Sequence, residues 1–289
     1  MKEYKLTILT PTYNRGVVLK RLYESLLKQT YRNFEWVIIN DGATDNTDEI
    51  VSNFINEGII SIKYKKKING GKPSAHNEGV MLADSDLTII CDDDDYFVKD
   101  ALKIVVDTWK EFLQDDTIGL IGYRGTKEET PLNDCHFPKK RYGRIQEIFP
   151  SGQYFDTTQI YKTDILKRTL FPITSEEKFV PEVWLWNELD KYGKLIIIHK
   201  VLEICKYRED GLTKTNSQTI WNNPKGYSTY FLQKYEKTKG LKRVKYYNVY
   251  KGLRISTKSE YKRDVLCSLL GFPIFMYVFA RRFSSWRKR

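Results

Sequence analysis

The chain has 289 residues, of which 41% are hydrophobic, so it can bury the core of one large domain or of one domain with an extension. Its net charge of +11 belongs to one end, because residues 241–289 carry 13 Lys/Arg and 2 Asp/Glu, whereas residues 1–240 carry 35 of each sign. The neutral first part excludes an electrostatic argument for nucleic-acid binding there, and four scattered cysteines exclude a zinc motif or a disulfide framework.

Strand and helix patterns alternate through the first part of the chain. Short hydrophobic runs predict strands, and apolar residues that recur at a spacing of three or four predict helices. In chain order these are strand 6–9, helix 17–28, strand 34–39, helix 45–56, strand 59–64, helix 74–83, strand 87–91, helix 98–113 and strand 118–123. Such alternation predicts an α/β fold with a mixed, mostly parallel sheet flanked by helices.

The second part of the chain has a less regular pattern. Residues 124–160 show no clear period and carry Gly, Pro and basic residues, which predicts loops and small hairpins. The elements predicted after them are helices 162–168 and 182–191, strands 194–199 and 201–207, and aromatic-rich helices 227–239 and 244–256. The character of the chain changes from Leu212 onward, which predicts a helical extension.

Four consecutive aspartates, Asp92–Asp95, directly follow the predicted strand 87–91. Open α/β sheets bind ligands at the carboxyl ends of their strands. Carboxylates this close repel one another unless a cation neutralises them, and Mg²⁺ in proteins takes one or two carboxylates together with phosphate oxygens. The aspartates therefore predict a divalent cation and a phosphorylated ligand; a solvated turn or an incidental Ca²⁺ site is the alternative.

Three further loops have compositions that suit a nucleotide. TPTYNR, residues 10–15, can present backbone N–H groups and an aromatic ring, and NDGATD, residues 40–45, offers a carboxylate to a base edge. Gly70-Gly71-Lys72 permits close backbone approach and brings a lysine within reach of a phosphate, without the spacing of a Walker loop. Each loop alone is a weak indication, because an ordinary turn or helix cap explains it as well.

Taken together and in this order, the segments TPTYNR, NDGATDNT, NGGKPSAHNEG and ICDDDDYFVKDAL resemble the family 2 glycosyltransferases of the GT-A fold, densely over residues 4–103. The later segments FVPEVWLWN and CKYREDGLT resemble a bacterial surface-polysaccharide subgroup more loosely. The resemblance implies a metal-dependent, inverting enzyme that moves a sugar from a nucleotide sugar, usually a UDP-sugar, to a hydroxyl of a glycan or polyprenyl-diphosphate-linked acceptor in cell-surface polysaccharide synthesis.

The same resemblance implies a division of the chain. Residues 1–213 would form the catalytic domain, with a nucleotide-sugar half over about 1–100 and an acceptor half over about 101–213. Residues 214–289 would form the helical, basic C-terminal extension.

Site residues also follow from the resemblance. Those that would bind the nucleotide sugar are Pro11, Tyr13 and Arg15, which border the nucleotide, Asp41, which hydrogen-bonds the base, and Lys72 in the loop that approaches the donor.

Asp92, Asp93 and Asp94 would form the DXD motif of the resembled family. In that motif Asp94 would face Mn²⁺ or Mg²⁺, and Asp92 would face the ribose or a metal-bound water. Asp95 is expected to support the following turn.

Glu182 is the candidate general base, because the acceptor hydroxyl must lose a proton as it attacks and a carboxylate can accept it. The family often carries an acidic pair here, whereas this chain has Pro181-Glu182-Val183, so Glu182 would act alone. Its alternative role is a first-turn helix charge. Glu176, Glu177 and Glu188 are rival candidates.

The basic tail predicts contact with a membrane. The apolar stretch 265–280 is shorter than the ~20 residues that span a bilayer. Its flanking Lys/Arg and aromatic residues fit a segment lying on an anionic surface, so 265–289 would dock the enzyme beside its acceptor; a terminal helix packed on the domain is the alternative. The first residues lead almost directly into a strand, and we expect a cytoplasmic protein, peripheral at the inner face of the membrane.

Two other classes of protein are alternatives to an enzyme of this family. A non-catalytic carbohydrate- or membrane-binding protein could keep the fold, but it would need neither the four aspartates nor Glu182. A sugar-nucleotide pyrophosphorylase would be expected to have a Gly-rich, Arg-containing loop after the first strand, and TPTYNR is not such a loop.

Overall fold

The computed structural model describes residues 2–132, 136–150, 154–205, 219–220 and 222–255. The strands in these residues are β1 Leu6–Thr12, β2 Phe34–Asn40, β3 Ser61–Lys66, β4 Leu87–Ile90, β5 Tyr96–Phe97, β6 Thr117–Lys127, β7 Thr130–Pro131, β8 Tyr142–Gly143, β9 Thr157–Lys162 and β10 Lys194–Ile204. The helices are α1 Gly16–Leu27, α2 Thr47–Glu57, α3 Lys72–Leu82, α4 Ala101–Phe112, α5 Ile145–Ile148, α6 Thr163–Arg168, α7 Glu182–Leu189, α8 Pro224–Lys237 and α9 Leu241–Ile255.

The strands form one mixed sheet in the order β3-β2-β1-β4-β9-β6-β10-β5. The first four are parallel neighbours. Strand β9 is antiparallel to both β4 and β6, so β6 and the parallel β10 point the same way as β1 to β4. Every residue of β1 and β2 is buried, which is typical of parallel strands covered on both faces. The predicted fold class, a mixed and mostly parallel sheet with helices, is confirmed.

Strand β9 corrects the sequence prediction for residues 124–160. The segment TTQIYK was assigned to loops and hairpins, yet Thr157–Lys162 is a strand inside the sheet. Its Thr158 and Gln159 are buried between two neighbouring strands. Because these residues are polar, their sequence did not indicate that they belong to the core. Strand β10 is likewise one irregular strand over the two predicted ones, with register shifts between Ile198 and Glu203.

The carboxyl ends of β1, β2 and β4 meet at one edge of the sheet. Leu9 of β1 pairs with Ile90 of β4, and the N–H of Cys91 donates to the carbonyl of Leu9 at 3.0 Å. The N–H of Asp41, just after β2, donates to the carbonyl of Thr12 at 2.9 Å. The TPTYNR loop, the NDGATD loop and the four aspartates therefore leave the sheet side by side.

The chain divides into two compact units. One consists of Met1–Leu170 with Trp186–Arg208, and the other of Phe171–Leu185 with Glu209–Arg289. In the second unit, α8 and α9 pack through buried tyrosines and the apolar residues around them: Tyr235, Tyr247, Tyr250, Phe231, Leu232, Val244 and Tyr246. The predicted boundary at residue 213 lies outside the described residues and stays a prediction.

The basic tail also lies outside the described residues, so membrane contact through 265–289 stays a prediction. Within the part of the chain that the structure describes, no helix combines the length and the apolar character that crossing a membrane requires.

Candidate active site at the carboxyl edge of the sheet

The four aspartates form a tight turn directly after β4. The N–H of Asp95 donates to the carbonyl of Asp92 at 3.3 Å, so successive side chains point in different directions. Asp93 and Asp95 are buried, whereas the side chains of Asp92 and Asp94 are 27% and 26% exposed. The turn therefore presents two of its carboxylates to solvent and uses the other two internally.

The loop after β1 holds the middle of this turn. The hydroxyl of Thr12 donates to Oδ2 of Asp93 at 2.8 Å. One guanidinium nitrogen of Arg15 donates to Oδ1 of Asp93 at 2.9 Å and to Oδ2 of Asp94 at 2.8 Å. Burial raises the pKa of Asp93 although Arg15 and Thr12 oppose that change. Arg15, predicted to border the nucleotide, thus lies against the aspartates themselves.

Each carboxylate oxygen of Asp92 contacts a different cation. Nζ of Lys72, at the start of α3, is 2.5 Å from its Oδ1, and a guanidinium nitrogen of Arg124 is 3.3 Å from its Oδ2. Burial opposes ionisation of Asp92, but Lys72 and Arg124 outweigh it and lower its pKa. Asp92 is therefore held as a carboxylate, and the approach of Lys72 to a donor stays a prediction.

Arg124 and Glu203 form a buried part of the site that sequence reasoning missed. Arg124 in β6 is 3.2 Å from Oδ2 of Asp95, and its Nε donates to Oε2 of Glu203 in β10 at 2.8 Å. Burial raises the pKa of Asp95 and of Glu203, with Arg124 opposing both changes. A glutamate within the apolar strand segment VLEI was the one available indication in the sequence.

Asp41 is buried and binds the glycine-rich loop. Its carboxylate accepts hydrogen bonds from the N–H groups of Gly70 at 2.9 Å and Gly71 at 2.7 Å, and from Nζ of Lys67 at 2.9 Å. The backbone of Gly71 has a φ of 85°, in the region that favours glycine. Asp41 thus shapes the loop that leads to Lys72, and its contact with a base stays a prediction.

The remaining predicted nucleotide residues lie on the same edge. Pro11 is a buried residue of β1, paired in register with Ile39. The side chain of Tyr13 is 47% exposed, which leaves its ring available to a ligand. Asn14 adopts a left-handed φ of 54°, and its side-chain oxygen accepts from the N–H of Thr44 at 2.8 Å. This contact joins the TPTYNR loop to the NDGATD loop.

The carboxylates of this site suit a cation that completes its coordination with ligands from outside the protein. Asp92 and Asp94 are the two carboxylates with solvent access, and Mg²⁺ or Mn²⁺ completes such a set with phosphate oxygens and water. Among the described residues, no group of three or more His, Cys, Asp or Glu is placed to hold a metal ion. The carboxylates of Asp92 and Asp94 fit a cation that also takes phosphate oxygens from a substrate.

Glu182 is an exposed residue at the first position of α7, in the second compact unit. Its rivals have local contacts. Glu177 accepts from the N–H groups of Lys225 and Gly226, each at 2.8 Å, at the start of α8, while Glu176 pairs with Nζ of Lys225 at 2.5 Å. Glu188 pairs with a lysine one turn along α7. The role of Glu182 as general base stays a prediction.

A cavity of about 810 Å³ has Tyr96, the residue that follows the four aspartates, in its wall. Its lining comes from α1, β5 and the residues after β6, and includes Arg21, Lys28 and Lys99. None of the predicted site residues lines it. The candidate site is therefore the open sheet edge itself.

Known proteins that resemble this chain in sequence are glycosyltransferases. The family model described as glycosyl transferase family 2 matches residues 7–169. The chain is 31% identical to the glycosyltransferase GlyG of Streptococcus pneumoniae over 231 residues, covering 75% of each protein. It is 26% identical to the GalNAc(5)-diNAcBac-PP-undecaprenol beta-1,3-glucosyltransferase of Campylobacter jejuni, covering 77% of this chain and 72% of the relative.

Solved structures show the same fold. S. aureus TarS 1–349 in complex with UDP-GlcNAc has a TM-score of 0.63 at 18% identity, covering 96% of this chain and 80% of that one. The mannosyltransferase PcManGT of Pyrobaculum calidifontis, in complex with GDP-Man and Mn²⁺, has a TM-score of 0.59 at 12% identity, covering 98% and 83%. The sheet and its helices thus have the GT-A architecture.

Proposed function

This chain belongs to glycosyl transferase family 2, and on that premise we propose that it transfers a sugar from a UDP-sugar to a hydroxyl of a glycan or polyprenyl-diphosphate-linked acceptor, with inversion and with a divalent cation. The reaction would serve the assembly of a cell-surface polysaccharide.

One observation carries the proposal: loops from three parallel strands place cations and carboxylates together at one sheet edge. Arg15 pairs with Asp94 and Lys72 pairs with Asp92, and these two aspartates are the ones whose side chains have solvent access. Guanidinium and ammonium groups beside exposed carboxylates suit a diphosphate with its bound cation. A protein that only binds carbohydrate would need no such arrangement.

Each residue then has a part in a direct displacement. Mn²⁺ or Mg²⁺, when bound at Asp94 and Asp92, would neutralise charge on the departing diphosphate. Lys72 and Arg15 would exchange part of their pairing with the aspartates for the phosphate oxygens. Glu182 would accept the proton of the acceptor hydroxyl as it attacks. Attack on the face opposite the leaving group inverts the anomeric carbon.

The acceptor class and location draw on the relatives and on the tail. The Campylobacter jejuni relative is named for a polyprenyl-diphosphate-linked glycan, which supports an acceptor of that kind for this chain. The basic, apolar segment 265–289 would hold the enzyme at the inner face of the membrane, where such an acceptor is presented.

The test is donor binding and hydrolysis across a panel of UDP-, dTDP- and GDP-sugars, with and without Mn²⁺. We expect metal-dependent turnover of one donor that Asp94→Ala abolishes. The matched control is Asp115→Ala, which changes an exposed aspartate after α4 and should leave turnover unchanged. If no donor gives a metal-dependent response, the catalytic assignment fails and a non-catalytic relative that keeps the fold takes its place.

The general base is tested separately, once a donor and an acceptor are known. Glu182→Gln should lower transfer at least 100-fold, within the range that general-base catalysis contributes, while donor binding stays at its wild-type level. Glu188→Gln, nearly two turns further along the same helix, is the control. Equal losses in both variants would assign the effect to the helix rather than to Glu182.

A further inference from the structure

A single guanidinium contacts three carboxylates behind the aspartate turn. Arg124 lies 3.3 Å from Asp92, 3.2 Å from Asp95 and 2.8 Å from Glu203. It thereby joins the first and last residues of the turn to strand β10. Arg15, a second guanidinium at this turn, pairs with the two middle aspartates.

Burial makes this cluster rigid. The side chain of Glu203 is fully buried and that of Arg124 is 13% exposed. The guanidinium is planar, and its Nε donates to Glu203. The terminal nitrogens of the guanidinium are therefore fixed in orientation toward Asp92 and Asp95. Lys72, the other partner of Asp92, has a flexible ammonium on a side chain that is 36% exposed, so it restrains the carboxylate less.

We propose that Arg124 is a positioning residue of the active site, anchored by Glu203, which orients the carboxylate of Asp92 for the cation and the nucleotide sugar. The inference rests on the proposed function, because it gives Arg124 a purpose at that same site. In this proposal Arg124 keeps Asp92 in place from the buried side, while Lys72 pairs with the other oxygen of the same carboxylate.

The decisive variant removes both partners of the buried pair. Arg124→Met alone would leave the fully buried Glu203 without a cation, whereas replacing an ion pair by apolar residues of similar size is usually tolerated. The double variant Arg124→Met/Glu203→Leu should keep a cooperative thermal transition; if the loss of the cation beside Asp95 unfolds it, Arg124→Lys, which keeps a cation there, decides the test. The affinity of the double variant for Mn²⁺ in the presence of UDP, measured by isothermal titration calorimetry, should fall about tenfold, as outer-shell substitutions at metal sites do.

Two further variants separate positioning from structure. Arg124→Lys keeps the positive charge but not the fork, so it should fold and still bind Mn²⁺ several-fold more weakly. Lys103→Met/Asp107→Leu removes an ion pair from the exposed face of α4, and it should bind Mn²⁺ as the wild type does.

The outcomes separate the two proposals. If wild-type protein binds no Mn²⁺ with UDP, the metal-dependent function fails. If the wild type binds and the folded double variant binds equally well, the positioning role of Arg124 is wrong while the proposed function stands. A tenfold loss in the double variant, a smaller loss in Arg124→Lys and none in the α4 control support the inference.

Discussion

Replacing Glu35 by glutamine should destabilise the protein in a pH-dependent way. Glu35 is buried near the start of β2, at the edge of the sheet opposite the aspartates. Its carboxylate accepts from Nζ of Lys5 at 2.8 Å, from the hydroxyl of Thr7 at 2.9 Å and from the N–H of Asp84 at 2.9 Å. Nζ of Lys63 lies 3.0 Å away. One carboxylate thus joins β1, β2, β3 and the segment before β4.

The expected cost at pH 7 is about 2–3 kcal/mol in the free energy of unfolding. Breaking a fully buried ion pair costs about 3–5 kcal/mol, and hydrogen bonds to charged groups contribute about 1.5–3 kcal/mol each. Two facts reduce the figure: Lys5 and Lys63 are each more than a third exposed and can be solvated again, and glutamine keeps one acceptor oxygen.

The sign of the pH dependence follows from the pKa of Glu35. Burial opposes ionisation, but Lys5, the N–H of Asp84, Lys63 and Thr7 outweigh it and lower the pKa from its ordinary value of 4.5. A group whose pKa is lowered by folding contributes stability above its unfolded pKa and loses that contribution as the pH falls through the folded one. The difference between wild type and Glu35→Gln should therefore be full near pH 7 and shrink below about pH 4.5.

Urea unfolding at several pH values, followed by the fluorescence of the buried Trp36 and Trp109, measures this difference. Glu111→Gln, an exposed glutamate on α4, is the control and should change stability by less than about 0.5 kcal/mol. A loss at Glu35 no larger than that of the control, or one equally large at pH 4 and pH 7, would refute the reasoning.

Three further substitutions test the contacts described above. Thr12→Val removes the hydroxyl that donates to buried Asp93 and should cost about 1–2 kcal/mol in urea unfolding, whereas Thr12→Ser should cost less. Glu177→Ala leaves two N–H groups at the start of α8 without their acceptor and should lower stability by about 1 kcal/mol, visible as earlier loss of helical circular dichroism. Gly119→Ala places a Cβ 2.0 Å from the backbone oxygen of Ile160, so it should lower the melting temperature or the soluble yield far more than an alanine at Gly58, where the Cβ meets no atom and the left-handed φ of 66° is the cost.

The alternation of elements was predictable because each has a strong local pattern. Strand β2 and helix α1 begin within one residue of their predicted starts, since continuous apolar runs and helical spacing need no knowledge of the rest of the chain. Strand β9 was not predictable in this way. Its TTQIYK sequence is polar, and it forms a strand because β4 and β6 supply a partner on each side.

The candidate site was likewise predictable only in part. Lys72 and the four aspartates were predictable from their places beside predicted elements, and Arg15 from the resemblance to the family. Arg124 and Glu203 are far apart in sequence, on strands whose register no local pattern encodes.

By itself the sequence determined the class of fold, the edge of the sheet that carries the carboxylates and the family to which the chain belongs, since all three depend on short motifs in a fixed order. Only the tertiary structure decided how the four aspartates divide. Two are buried and held by Thr12, Arg15 and Arg124, and two face solvent. The reason is physical: a carboxylate's ionisation and orientation depend on the cations and hydrogen-bond donors that folding brings to it from other strands.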